Sequence, residues 1–130
     1  NEMILYKVHV RGYTKQAKFS PRKKGTFAGL VEMIPYWKEM GINAIELMPA
    51  YEFQECTRKE TAGSMAVRSK KDDRINYWGY AQGFYFAPKA SYCATREPDR
   101  EFRDMVHALH QAESSVSWRC ISRRIRRHCR

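Results

Sequence analysis

Apolar and polar positions trade places along this chain with periods that change from one segment to the next. Ile4, Tyr6, Val8 and Val10 alternate with Leu5, Lys7, His9 and Arg11. Period two predicts a strand over Met3–Val10, ended by Gly12. From Phe27 the pattern becomes helical: Phe27, Leu30, Val31, Ile34, Trp37 and Met40 fall on one face. Thr26 is placed as its N-cap and Gly41 as its C′ residue, while Pro35 predicts a kink or a restart. Ile42–Met48 is a near-continuous apolar run, as expected of a parallel strand covered on both faces. Glu46 interrupts it, and a carboxylate there is expected to pair with an arginine or a backbone donor. The segment from Glu52 to Arg74 reads as a long polar loop. Glu97-Pro98-Asp99 then opens a second amphipathic helix, with Phe102, Met105, Val106 and Leu109 as its apolar stripe. His107 and His110 flank that stripe and read as surface residues.

The order β–α–β–loop–α predicts an α/β fold built on parallel strands. At 130 residues the chain is one domain or part of one. It shows no transmembrane run and no signal peptide, so the expected setting is cytoplasmic. The net charge of +10 is uneven, because residues 113–130 carry six arginines against the single acid Glu113. That tail is the basis of an alternative reading, a small basic nucleic-acid-binding protein. The run Arg22-Lys23-Lys24 reads as a solvated loop. Cys56, Cys93, Cys120 and Cys129 have no metal-ligand or redox spacing and are expected to be free thiols. No metal site and no cofactor is predicted.

The chemistry-bearing stretch is aromatic. Asn76-Tyr77-Trp78-Gly79-Tyr80, Phe84-Tyr85-Phe86 and Tyr92 follow the second strand, interleaved with amides and glycines. Such residues can plug the end of a barrel. They can also bind sugars, since ring faces pack on the C–H faces of pyranoses while hydroxyls and amides bond the sugar hydroxyls. Ligands of parallel α/β folds bind outside the carboxyl ends of the strands, and this segment follows one.

Tyr6 through Thr14, Gly25-Thr26-Phe27-Ala28-Gly29, Ile34-Pro35-Tyr36, Gly41 through Pro49, and Asn76–Tyr80 with Phe86-Ala87-Pro88 and Tyr92 resemble one family. It is the alpha-amylase superfamily, glycoside hydrolase family 13, in its isoamylase, pullulanase and glycogen-debranching branch. The resemblance covers about residues 3–112. It implies an incomplete, N-terminal fragment of a (β/α)8 TIM barrel with two to three βα units, acting on an alpha-glucan polysaccharide by double displacement between two carboxylates. It implies that Tyr80 lines the sugar subsite at the cleavage point, with Trp78, Asn76 and Tyr77 supporting that wall. Ala81 departs from the pattern, in which a polar residue is usual. The family's catalytic carboxylates lie on strands four, five and seven, so no residue here is assigned a catalytic role, and the chain alone is expected to be inactive.

After Ala112 the resemblance stops. Residues 113–130 show neither strand alternation nor an apolar helical stripe, and they are read as a separate basic tail following the partial barrel of residues 1–112. An out-of-frame translation is the expected origin. Reading the possible codons one base earlier permits a glycine at position 113, followed by an apolar run of strand type.

Overall fold

The computed structural model describes residues 2–18, 20–55 and 75–118. The first strand, β1 (Leu5–Val8), is shorter than its alternating pattern. It gives way to a short helix, α1 (Val10–Thr14), where the sequence predicted continued strand and a stop at Gly12. The reason is local: the His9 ring accepts the Gly12 N–H and caps the helix at its first turn. A break at Pro35 was predicted, and the first amphipathic segment divides into α2 (Phe27–Val31) and α3 (Ile34–Glu39), the latter restarting with the proline in its first turn. Thr26 caps α2 by accepting from the Gly29 N–H at 3.2 Å. Gly41, with φ of +73°, closes α3. The Ile42 N–H reaches back to the Trp37 carbonyl at 2.9 Å, which satisfies an orphan acceptor of the last turn.

β2 (Ala44–Leu47) pairs in parallel with β1, in the register Leu5 to Ala44 and Lys7 to Glu46. Lys7 and Glu46 are therefore neighbours on one face, and their charged groups lie 3.9 Å apart. Glu46 thus has a lysine beside it. The predicted polar loop begins later than expected. β3 (Tyr51–Phe53) pairs antiparallel with β4 (Gly83–Pro88), and the register slips between Tyr51 and Glu52. Residues 56–74 of that loop lie outside the described ones, as does Cys56. α4 (Pro98–Gln111) buries Met105 and Leu109 and half-buries Phe102 and Val106, the stripe read from the sequence. His107 and His110 are exposed.

One expectation is corrected at the start of the tail. Ser115–Trp118 form β5, parallel to β2, in a sheet of order β1-β2-β5. Backbone pairing needs no apolar side chains, and the β2 edge offers the donors and acceptors. The arginines of residues 119–130, with Cys120 and Cys129, lie outside the described residues.

The core unites Val8, Phe27, Leu30, Trp37, Ile45, Leu47, Tyr51, Tyr92, Met105 and Leu109, each almost fully buried. A buried carboxylate also ties the layers together. Glu101, on the first turn of α4, accepts the backbone N–H groups of Ala28 on α2 and of Ala94 and Thr95 before α4, at 2.9–3.1 Å. The Cys93 thiol, which is free, donates to the same carboxylate at 3.0 Å. Burial opposes ionisation, but these donors outweigh it and hold Glu101 below the usual carboxylate range.

Candidate functional site

The carboxyl ends of β1 and β2 face a single polar and aromatic cluster. His9 follows β1 directly. Its Nδ1 accepts the Gly12 N–H at 3.0 Å, so Nε2 carries the proton and donates to the Tyr77 carbonyl at 2.9 Å. The imidazole stacks on the Tyr77 ring, with centroids 4.6 Å apart and planes 10° apart. Trp78 and Tyr92 meet it edge-on, at 5.6 and 5.8 Å. Burial, reinforced by the nearby Arg11 charge, keeps His9 below its ordinary pKa even though the Tyr77 carbonyl favours the charged form.

The loop carrying Tyr77 is held from several sides. The Asn76 N–H donates to the Glu55 carbonyl at 2.7 Å, and Asn76 Oδ1 accepts the Gly79 N–H at 3.1 Å. Gly79 has φ of +74°, and a Cβ there would lie 2.4 Å from the Phe53 ring, so the turn requires glycine. The Tyr51 hydroxyl, from the core, donates between the carbonyls of Gly79 and Ala81, at 3.1 and 2.7 Å. The result is a fixed loop that leaves Tyr77, Trp78 and Tyr80 partly open to solvent, at 38%, 55% and 42% exposure.

Beneath the loop lies a charge network. Arg11 makes a forked contact with Glu55, at 3.1 and 3.3 Å, and donates to Ser91 at 2.8 Å. Lys89 is buried, and its ammonium binds Glu52 at 2.6 Å and the Phe53 carbonyl at 2.8 Å, with Glu55 at 3.4 Å. Glu55 is only half-buried. Desolvation works against its charge, but Ser91, Arg11 and Lys89 prevail and lower its pKa. A carboxylate held ionised in this way cannot serve as a proton donor near neutrality. Tyr92, buried against the cluster, is pushed up to about 12, chiefly by desolvation. Among the described residues no group of His, Cys, Asp and Glu side chains could hold a metal ion.

The geometry suits recognition: open rings on a fixed loop, with the acids nearby committed to cations. Known proteins match most of the chain. The chain is 38% identical over 119 residues to the glycogen debranching enzyme of Dickeya chrysanthemi. It is 31% identical over 116 residues to the chloroplastic isoamylase 1 of Arabidopsis thaliana. The chain is a relative of the isoamylases and glycogen-debranching enzymes. These matches cover 89% and 85% of the chain, but only 17% and 14% of those relatives. Among solved structures, the Group B Streptococcus pullulanase SAP, in complex with maltotetraose, matches 89% of the chain and 15% of its own length, with 25% identity and a TM-score of 0.62. The catalytic module of the glycogen-degrading pneumococcal virulence factor SpuA matches 89% of the chain and 17% of its own length, with a TM-score of 0.69 at 22% identity, which bears on the fold. No family profile matches the chain.

The structure brings the four residues singled out in the sequence, Asn76, Tyr77, Trp78 and Tyr80, together on one loop. Their parts differ: Asn76 shapes the turn, Tyr77 leans on His9, and Trp78 and Tyr80 look outward. The remaining aromatics also divide. Tyr85 packs on Tyr51 and Tyr92 is in the core, whereas Phe84 and Phe86 are 76% and 98% exposed. Sequence reasoning missed His9, Arg11, Glu55, Lys89 and Ser91 as a supporting set. His9 alone left a local signal, a potential cap three residues before Gly12.

Proposed function

We propose that this chain supplies part of the sugar-binding wall of an alpha-glucan debranching-type glycoside hydrolase, without the catalytic carboxylates. In this reading Trp78 and Tyr80 contact the glucan, and Tyr77 and Asn76 hold the wall in place. The observation that carries the reading is the set of open rings on a pinned loop at the carboxyl ends of parallel strands, where such folds bind ligands. The acids near the loop are tied to Arg11 and Lys89, which argues against a catalytic pair there. The setting proposed is the cytoplasm; no helix among the described residues is long and apolar enough to cross a membrane.

The fold proposed is the front of a (β/α)8 barrel, two to three βα units of it. In support, among the described residues helices pack on one face of the parallel sheet, as they do on the outside of such a barrel, while Leu5, Ser115 and Ser117 on the other face are exposed. Residues 113–130 are proposed to be out of frame with the rest. Glu113, directly after α4, has φ of 59°, and the Ser114 N–H returns to the Leu109 carbonyl at 2.9 Å. This left-handed helix-end position favours glycine, the residue that the earlier frame permits at 113.

The test is a titration of the 130-residue chain with maltoheptaose, alongside an assay of reducing sugar released from glycogen and pullulan. Saturable binding that Tyr80→Ala weakens, with no sugar released, is the expected result. Hydrolysis by the chain alone, or binding indifferent to Tyr80→Ala, would refute the reading.

A further inference from the structure

We propose that neutral His9 is the positioning residue of the aromatic wall, joining the start of α1 to the Tyr77 carbonyl and so making the wall's placement depend on proton concentration. The proposal rests on the reading of the loop as a glucan-binding wall only for its functional consequence; the positioning itself is independent of it.

The argument begins with the two ring nitrogens. Nδ1 must be bare to accept the Gly12 N–H, and Nε2 must carry a proton to donate to the Tyr77 carbonyl. One neutral tautomer satisfies both. A second proton would sit on Nδ1 and face the Gly12 N–H, two donors with no acceptor between them. The cap of α1 would then be lost, and with it the platform on which Tyr77 stacks. Gly12 completes the fit, because a Cβ there would lie 2.7 Å from the Tyr77 hydroxyl, so the tyrosine lies close over the helix turn.

Burial opposes a positive charge on His9, and the groups around it do not make up for that. Arg11, on α1, is a cation whose guanidinium lies over the Tyr92 ring, 5.1 Å from its centre. Tyr92, in the turn Ala90–Tyr92 after β4, brings its hydroxyl 3.4 Å from Nε2, while the Tyr77 carbonyl favours the charged form without outweighing burial. The carboxylates of the cluster, Glu52 and Glu55, are engaged by Lys89 and Arg11. His9 is accordingly harder to protonate folded than unfolded. The sign follows: as pH falls below the ordinary value of 6.5 the unfolded chain gains its proton first, and the stability tied to neutral His9 is lost as pH falls.

His9→Asn separates positioning from capping. Asparagine is a good N-cap and can still accept the Gly12 N–H, but it is too short to reach Tyr77 and has no ring to stack. The experiment follows the backbone amide signals of Tyr77 and Trp78 by NMR from about pH 8 to about pH 5, in the wild-type chain and in His9→Asn, without sugar. Expected is a shift of both amides that tracks the His9 imidazole signals in the wild type, and its absence in a folded His9→Asn. Amides that stay still while His9 titrates, or that titrate equally in the variant, would overturn the proposal. If His9→Asn does not fold, the wild-type titration decides alone. A maltoheptaose titration of the same samples is expected to lose about tenfold in affinity in His9→Asn, the scale of one lost contact. If maltoheptaose does not bind the wild type at all, the glucan reading fails and the amide titration still decides the role of His9.

Discussion

The two faces of the three-stranded sheet are furnished differently. Val8, Ile45 and Leu47 point to one side and share a core with Leu30, Met105 and Leu109 from the helices. By the register, Leu5, Lys7, Ala44, Glu46, Ser115 and Ser117 share the other. There Leu5 is 49% exposed, Lys7 and Glu46 face each other, and both serines are exposed. Apart from Tyr6, which is 39% exposed, the first face is a protein interior. The second is barer: Ala44 is buried there and Glu46 largely so, but Leu5 and both serines stand open. The exposed rings of the Asn76–Tyr80 loop differ again from this bare face. They are open although hydrogen bonds and a core tyrosine hold their backbone in place, so their exposure belongs to a built surface.

Substitutions can break that contrast. The largest effect is expected for Leu47→Ala on the covered face, a loss of about 2–5 kcal/mol in urea unfolding, since a cavity would open among core side chains. Glu101→Gln comes next, at about 1–3 kcal/mol, because one amide oxygen cannot replace a carboxylate that serves several N–H donors. The same variant should flatten the acid limb of stability. Glu101 is held below its ordinary 4.5, so its contribution is present above that value and fades as pH falls through the folded pKa. Glu113→Gly should stabilise by roughly 1 kcal/mol, read as a raised unfolding midpoint, by relieving the left-handed backbone where β5 begins. Leu5→Ala, on the bare face, should change stability by no more than about 0.5 kcal/mol. A Leu5→Ala loss comparable to that of Leu47→Ala would mean that the two faces are equally covered.

Segments whose structure is written in neighbouring residues were legible. The α4 stripe, the restart at Pro35 and the turn at Gly41 each follow from spacing or from a cap within a few positions. The β3–β4 pair was not legible, because its strands are separated by the long loop and Phe84 and Phe86 point outward with Tyr85 turned in. α1 was hidden by an alternation that continues through Val10 although the backbone has already turned. The four wall residues could be named from their motif. Their supports could not, since Arg11 finds Glu55 and His9 finds Tyr92 only through the fold, at separations of 44 and 83 residues.

The most direct test of the central claim is a maltoheptaose titration of the 130-residue chain followed residue by residue in backbone amide NMR spectra. The account predicts saturable shifts at Tyr77, Trp78 and Tyr80, weakened in Tyr80→Ala, with Leu5, Lys7, Glu46 and Ser117 unmoved. Shifts centred on that bare sheet face, or none at any concentration of sugar in a folded chain, would contradict it.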